Sequence, residues 1–376
     1  MENKLGNIYS KPVCNEIVGL PWAGADKFRI GEILCEPQWQ DGRTQEASPR
    51  YVARKQLEAL KSMGLKLMFA CEVEMLFVKD GKPLFEGQDY CTHVRFSDIE
   101  NLLLTIESNL HKCGIDTETL EVEYSPGQVE MALVPKFGIE AADNMFRLKT
   151  AVKEITKSFG ITTTFMSKPF AGDDASNGTH FNHSLWTLDT NKNAFYDPNE
   201  PDHISKLGKY WLGGVMKHMD AITALCCPTV NCYRRLHKPW AADMKDWDYD
   251  SRLVSWRIKS TSEKATYMEN RMPSGASNIY LALAATVAAG IDGIKNKIEP
   301  PPPGPTTDNP LPYKLEEALE ALENDEPIVK ALGEQFVEWF ITEKRATELK
   351  KLCNHDMTKF ISCEMEAERE EYFELI

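Results

Sequence analysis

Glu72 and Glu74 stand two residues apart in the apolar run LKLMFACEVEMLFV, so in an extended strand both carboxylates leave on one face. Such a pair fits a wet sheet face as well as a binding site. Glu123 and Glu130 flank the turn SPG between the strand-like runs LEVEY and QVEMALV, which reads as a hairpin with carboxylates on both arms. Four acidic groups on neighbouring strands repel one another unless a cation lies between them, and a divalent metal is the simplest neutraliser. Oxygen ligands with one imidazole favour Mg²⁺ or Mn²⁺ over zinc. His180 and Glu269 would complete such a set, although spacing alone does not single out a lone histidine.

Arg235, Arg252, Arg257 and Arg271 fall in the segments YRRL, SRLVSWRI and ENRMP, each with apolar neighbours. A guanidinium holds carboxylate or phosphate through two parallel hydrogen bonds, which suits a site handling an amino acid and a nucleotide. Each taken singly fits a surface ion pair better than a binding role.

The elements that must position these groups read as an α+β fold on a largely antiparallel sheet, because strands and helices follow without regular βαβ alternation. A helix runs from Pro49 to Gly64, where a left-handed cap would turn the chain into the Glu72 strand. A second helix is predicted over 97–113 and a third over 140–159. Next comes the strand ITTTFMSKPF, then a Gly/Asn/Asp-rich loop leading to His180 and His183. Further helices are predicted at 206–225, 275–294, 313–323, 327–340 and 343–352, with PPPPGP at 300–305 as a rigid linker. Residues 1–50, with a strand-like run from Phe28 to Cys35, are too few for a robust core of their own.

With 376 residues, 42% apolar and 10% aromatic, the chain folds rather than staying disordered. A formal charge of −14 without a basic block speaks against nucleic acid and anionic membrane as partners. No run approaches the roughly 20 apolar residues of a membrane span, and the first residues lack a secretory pattern, so a cytoplasmic protein is expected. Ten cysteines without paired spacings read as reduced thiols.

LPWAG, SPRYV, CEVEMLF, SPGQVE, AADN, TFMSKPF, PTVNCYRRL and YLALAATVAAGIDGIKNKI, in that order, resemble class I glutamine synthetase over about residues 20–340. The resemblance implies a curved antiparallel sheet flanked by helices, residues 46–376 forming the catalytic domain and residues 1–45 a truncated β-grasp remnant. It implies Mg²⁺ or Mn²⁺ and ATP, with Glu74, Glu123 and Glu130 holding one metal and Glu72, His180 and Glu269 the other. In the family's reaction ATP phosphorylates the glutamate γ-carboxylate and ammonia displaces the phosphate, with Arg235, Arg252, Arg257 and Arg271 matching its arginines. A dodecamer of two stacked hexameric rings is implied as well.

The departures concern catalysis. Asn182 stands where the family has a second histidine, with His183 one place on, and an amide cannot do an imidazole's proton chemistry. Tyr267 replaces an arginine two places before the metal-binding Glu269. The flap reads KPWAAD, so the base that helps deprotonate ammonium is Ala241 or, counted back from Arg252, Trp240; Asp243 is a distant substitute. The loop SKPFAGDDASNGTH is one residue longer than usual. An Asp from a neighbouring subunit's amino-terminal domain is missing if Met1 is the true start. The leading expectation is therefore a catalytically inactive relative serving in assembly. It resembles the family's silent member of the vertebrate eye lens, a structural, chaperone-like protein with intermediate filaments such as vimentin as partners. The alternative is an ATP-dependent γ-glutamyl ligase acting on ammonia or another amine.

Overall fold

The computed structural model describes residues 8–13, 17–24, 27–87, 90–172, 176–238, 240–352 and 362–376. In the amino-terminal segment β1 (Tyr9–Pro12) pairs with β4 (Cys35–Gln38), and β2 (Val18–Gly19) with β3 (Gly31–Glu32), both antiparallel. The run from Phe28 to Cys35 is thus only partly strand. Ion pairs fasten this segment to the rest: Glu36 receives Arg50 at 2.5 Å and Arg54 at 3.3 Å, and Arg147 pairs with Glu32. Trp22 adds a hydrogen bond to Glu154 at 2.7 Å.

Helix α1 (Pro49–Ser62) begins with the proline whose ring suits a first helical turn, and Gly64 at φ +77° redirects the chain into β5 (Leu65–Lys79). The short β6 (Lys82–Pro83) follows, then α2 (His93–Lys112), the hairpin of β7 (Thr117–Val122) and β8 (Gln128–Leu133), β9 (Lys136–Phe137) and α3 (Ile139–Lys157). Next come β10 (Thr162–Thr164), β11 (Thr179–Thr187), α4 (Lys206–Lys217) and α5 (Met219–Cys226). After β12 (Trp247–Tyr249), β13 (Trp256–Ser260) and β14 (Thr266–Asn270) the chain turns helical: α6 (Ile279–Asn296), α7 (Leu315–Asn324), α8 (Glu326–Leu332), α9 (Glu334–Lys344), α10 (Lys350–Leu352) and α11 (Ser362–Tyr372).

The main sheet runs β12-β13-β14-β11-β5-β8-β7, with β6, β9 and β10 attached to β5. Every pairing is antiparallel except β12 with β13, so the α+β class expected from the sequence holds. Helix α6 is buried along almost its whole length, and its Gly290 lies against the Trp211 ring of α4, where a Cβ would overlap it. That close approach packs α6 directly on α4.

Four expectations need correction. The strand predicted over ITTTFMSKPF covers only Thr162–Thr164: Phe165 and Met166 are buried off the sheet, and the Lys168 amide donates to the Asn231 side chain at 2.7 Å. The helix predicted over 206–225 breaks at His218, whose imidazole is gripped by the carboxylates of Asp292 in α6 and Asp325 at the junction of α7 and α8. The helix expected from 275 starts at Ile279, where Asn278 caps it by accepting from the Tyr280 amide. The helix expected over 327–340 is two, divided at Gly333 with φ +110°. Among the described residues no helix is long and apolar enough to cross a membrane, and the described cysteines are unpaired.

Candidate active site

Strand pairing explains how the acidic residues meet. His180 lies opposite Glu72, Asn182 opposite Ala70, Glu74 opposite Glu130, and Arg257 and Asn182 flank Glu269 on either side. With alternating side chains, Glu72, Glu74, Glu130, His180, Asn182, Arg257, Tyr267, Glu269 and Arg271 share one face of the sheet. The hairpin differs in one detail from its reading in the sequence. Glu130 pairs directly with Glu121, while Glu123 sits just past β7, its amide donating to the Gln128 carbonyl, and reaches Glu130 only diagonally.

Two groups of ligand atoms result. Glu72, His180 and Glu269 place one donor each within 4.8 Å of one another, and Glu74, Glu123 and Glu130 do the same. These are the two triplets the resemblance implied. The second is a crowd of like charges: burial and the neighbouring Glu74 push the Glu123 carboxyl up to about 7, and burial with Glu74, Glu72 and Glu123 raises Glu130 well above the ordinary range. A divalent cation removes both penalties, and five carboxylates with one imidazole form the hard donor set that suits Mg²⁺ or Mn²⁺. The buried Oδ1 of Asn182 has no hydrogen-bond partner, leaving an acceptor free beside the first triplet. The residues therefore fit the group.

The first triplet is balanced by cations. Burial works against ionisation of Glu72, yet its hydrogen bond with His180 at 3.2 Å and the charges of His180 and Arg271 bring it below the usual range. Glu269, 2% exposed, receives Arg271 at 2.7 Å and Arg257 at 3.3 Å, with His180 at 3.5 Å. Arg235 is buried, with Glu74 and Arg271 among the charges acting on it; it packs against Gly178 where a Cβ would overlap its guanidinium, and reaches the Met272 and Arg271 carbonyls at 3.4 Å. Arg252 is exposed, near Tyr90. So two of the four predicted arginines touch a ligand carboxylate, one braces the segment after β14 that carries Arg271, and one is exposed near Tyr90.

The altered positions are equally plain. His183 points away into the core: its Nε2 receives Trp211 at 3.0 Å, Phe181, Phe195 and Trp256 surround it, and burial pushes its pKa down to about 4. It cannot stand in for a site histidine. Asn182 instead lends a hydrogen bond to Glu72. The phenol of Tyr267 is pushed up to about 12 by burial and by Glu72 and Glu269, so it faces the cluster neutral, with Lys259 over its ring. Asp243 is occupied by His237 at 2.5 Å, and His237 stacks on Tyr313. Asp173 to Ala175 of the long loop lie outside the described residues. Asn177 and Gly178 beyond them contact Gln128 and, through the Gly178 amide at 2.5 Å, Glu74.

Sequence reasoning missed one buried tie. Arg234, next to Arg235, pairs with Glu368 of α11 at 2.7 Å with both side chains almost fully enclosed, and Asn231 donates to the same carboxylate at 2.7 Å. The partners lie 134 positions apart, which leaves no local signal.

Fold and site together define a class: an α+β domain whose largely antiparallel sheet presents two carboxylate clusters on one face. The family model "Glutamine synthetase, catalytic domain" matches residues 46–362, and the chain belongs to that family. It is 36% identical to a glutamine synthetase of Thermotoga maritima over 89% of this chain and 80% of that protein. Human lengsin is 33% identical over 87% of this chain, which spans 65% of lengsin's length. Among solved structures, a GmaS/ADP complex superposes with a TM-score of 0.85 at 25% identity, covering 97% of this chain and 86% of that one.

Proposed function

We propose that the protein is an ATP- and divalent-cation-dependent γ-glutamyl ligase whose acceptor amine is not ammonium. The observation that supports this most is the preassembly of both ligand triplets on one face of the sheet. A scaffold relieved of chemistry has no use for carboxylates that raise one another's pKa, since each is a cost to folding without a cation. On this reading Glu74, Glu123 and Glu130 hold one cation and Glu72, His180 and Glu269 the other. When bound, the cations neutralise the phosphoryl group passed from ATP to the glutamate γ-carboxylate. Arg257 and Arg271 orient Glu269, and Arg235 holds the segment carrying Arg271. Residues 46–376 form the catalytic domain, residues 1–45 the remnant of an amino-terminal β-grasp domain, and subunits assemble as a dodecamer.

The test is γ-glutamyl hydroxamate formation from glutamate, Mg²⁺-ATP and hydroxylamine, a nucleophile that needs no help from a protein base. Glutamate-dependent hydroxamate and ADP are expected; their absence at millimolar hydroxylamine overturns the ligase. A second reading is favoured by Ala241, Asn182 and Tyr267 together: a catalytically silent assembly protein, as the likeness to lengsin suggests. It predicts a cation-stabilised oligomer with no hydroxamate. The intermediate-filament partner of that reading rests on no named residue of this chain.

A further inference from the structure

Arg271 and Arg257 both reach Glu269, and they differ in what holds their other nitrogens. The second terminal nitrogen of Arg271 is committed to the backbone, donating to the carbonyl of the exposed Trp240 at 3.0 Å. Arg257 instead gives the Nε–Nη2 edge of its guanidinium to a single atom: both nitrogens donate to Oδ1 of Asp250, at 3.1 and 2.5 Å. That edge suits two oxygens side by side, and one oxygen matches it poorly. Lys259 lies 3.9 Å from the same Oδ1, beyond hydrogen-bonding distance.

Strand geometry places Lys259 at the site. It stands two residues after Arg257 on β13, hence on the same face, and directly opposite Tyr267 of β14, with its ammonium 5.8 Å from the centre of that ring. Tyr267 is the position where the resemblance expects an arginine, so the cation missing there is present on the neighbouring strand.

Asp250 behaves as an exchangeable occupant of these cations. Its side chain is 72% exposed, whereas that of Arg257 is 11% exposed and that of Lys259 32%. It follows β12 at φ +48°, a conformation uncommon for residues with a side chain and tolerated by aspartate. An ion pair with so open a carboxylate adds little to folding. Arg257, with Lys259 and Arg252 beyond it, holds this carboxyl below its usual range, so three positive charges meet one negative charge. The terminal phosphates of a nucleotide supply both the missing negative charge and the paired oxygens.

We propose that Arg257 and Lys259 form a clamp for the terminal phosphates of ATP, and that Asp250 fills this clamp in the free chain and leaves it when the nucleotide arrives; this rests on the ligase reading above. Lys259 supplies from β13 the charge that Tyr267 lacks on β14. Because the nucleotide must displace Asp250, that carboxylate lowers the apparent affinity.

Calorimetric titration of Mg²⁺-ATP into the full chain, beside Lys259→Met, Lys259→Arg and Asp250→Asn, tests the clamp, with hydroxamate kinetics as a second readout. Lys259→Met should weaken Mg²⁺-ATP about 10-fold, and Lys259→Arg should keep most of the affinity. Asp250→Asn, which keeps a residue suited to positive φ, should tighten binding about 3- to 5-fold, a direction that loss of a merely structural contact does not produce. In kinetics the same shifts should fall on the KM for ATP, with that for glutamate unchanged. Affinity unchanged in Lys259→Met, or not raised in Asp250→Asn, overturns the clamp and leaves the ligase standing. Shifts in the KM for glutamate in place of ATP assign these cations to the amino acid and overturn it as well. A wild-type chain that binds no Mg²⁺-ATP at millimolar concentration removes the ligase reading and this inference together.

Discussion

The sheet face and the 236–243 loop lie within one arginine of each other and have opposite characters. On the face, every ligand is carried by a strand or the edge of one, and registry with two neighbours fixes where it points. The loop is held by a histidine, a carbonyl and a stacked ring, and its tip is exposed. By the resemblance read from the sequence, the face keeps its six ligand residues but changes at Asn182 and Tyr267, and the loop departs as well. On the proposed ligase reading, the difference separates cation placement from acceptor choice: backbone pairing of β5, β8, β11 and β14 protects the one, while a loop can change the other without disturbing the core.

The comparison breaks first at Glu269. Replacing it with Ala removes a ligand and strands Arg257 and Arg271, and hydroxamate formation should fall about 10³-fold, equal to about 4 kcal/mol of barrier. Circular dichroism should show the fold kept. A loss under tenfold would mean the face is not where the chemistry occurs. The next largest effect lies beneath both regions. Glu368→Gln leaves Arg234 charged and enclosed and should cost about 3 kcal/mol in urea unfolding, whereas the exposed Lys351–Glu371 pair should contribute under about 0.5 kcal/mol.

Much of the face was legible in the sequence because alternation translates spacing into direction: Glu72 and Glu74 had to share a side, and the SPG turn had to bring Glu130 near. Other features depend on contacts between distant segments. TFMSKPF is apolar because it is buried, yet only three residues before and at its start pair in the sheet, and the Asn231 side chain claims a later amide. The break at His218 comes from Asp292 and Asp325, which lie 74 and 107 residues away. The Trp240 conformation, at φ +68°, has no composition signal at all.

Two smaller effects sharpen the contrast. Ala241→Glu returns a carboxylate to the loop and should raise the ammonium-dependent rate about 10- to 100-fold, with hydroxamate formation unchanged. No gain would mean that position 241 does not face the acceptor. Away from the site, His218 is 2% exposed between Asp325 at 2.6 Å and Asp292 at 2.9 Å, with Lys217 on the same carboxylate. Burial opposes its protonation, but the two carboxylates outweigh burial and raise its pKa above the usual 6.5. Folding therefore binds a proton more tightly than the unfolded chain does. The stabilisation is complete below pH 6.5 and fades as pH rises through the folded-state value. Thermal melts from pH 6 to 9 should lose on the order of 1 kcal/mol that His218→Gln does not lose, and parallel curves would contradict this.

The central claim is that the strand-borne face binds two cations as a working site, and titration of Mn²⁺ into the full-length chain with ATP present tests it most directly. Calorimetry should show two Mn²⁺ per chain, with one lost in Glu130→Gln and one in Glu269→Gln. No binding at millimolar Mn²⁺, or binding that neither substitution weakens, would contradict it.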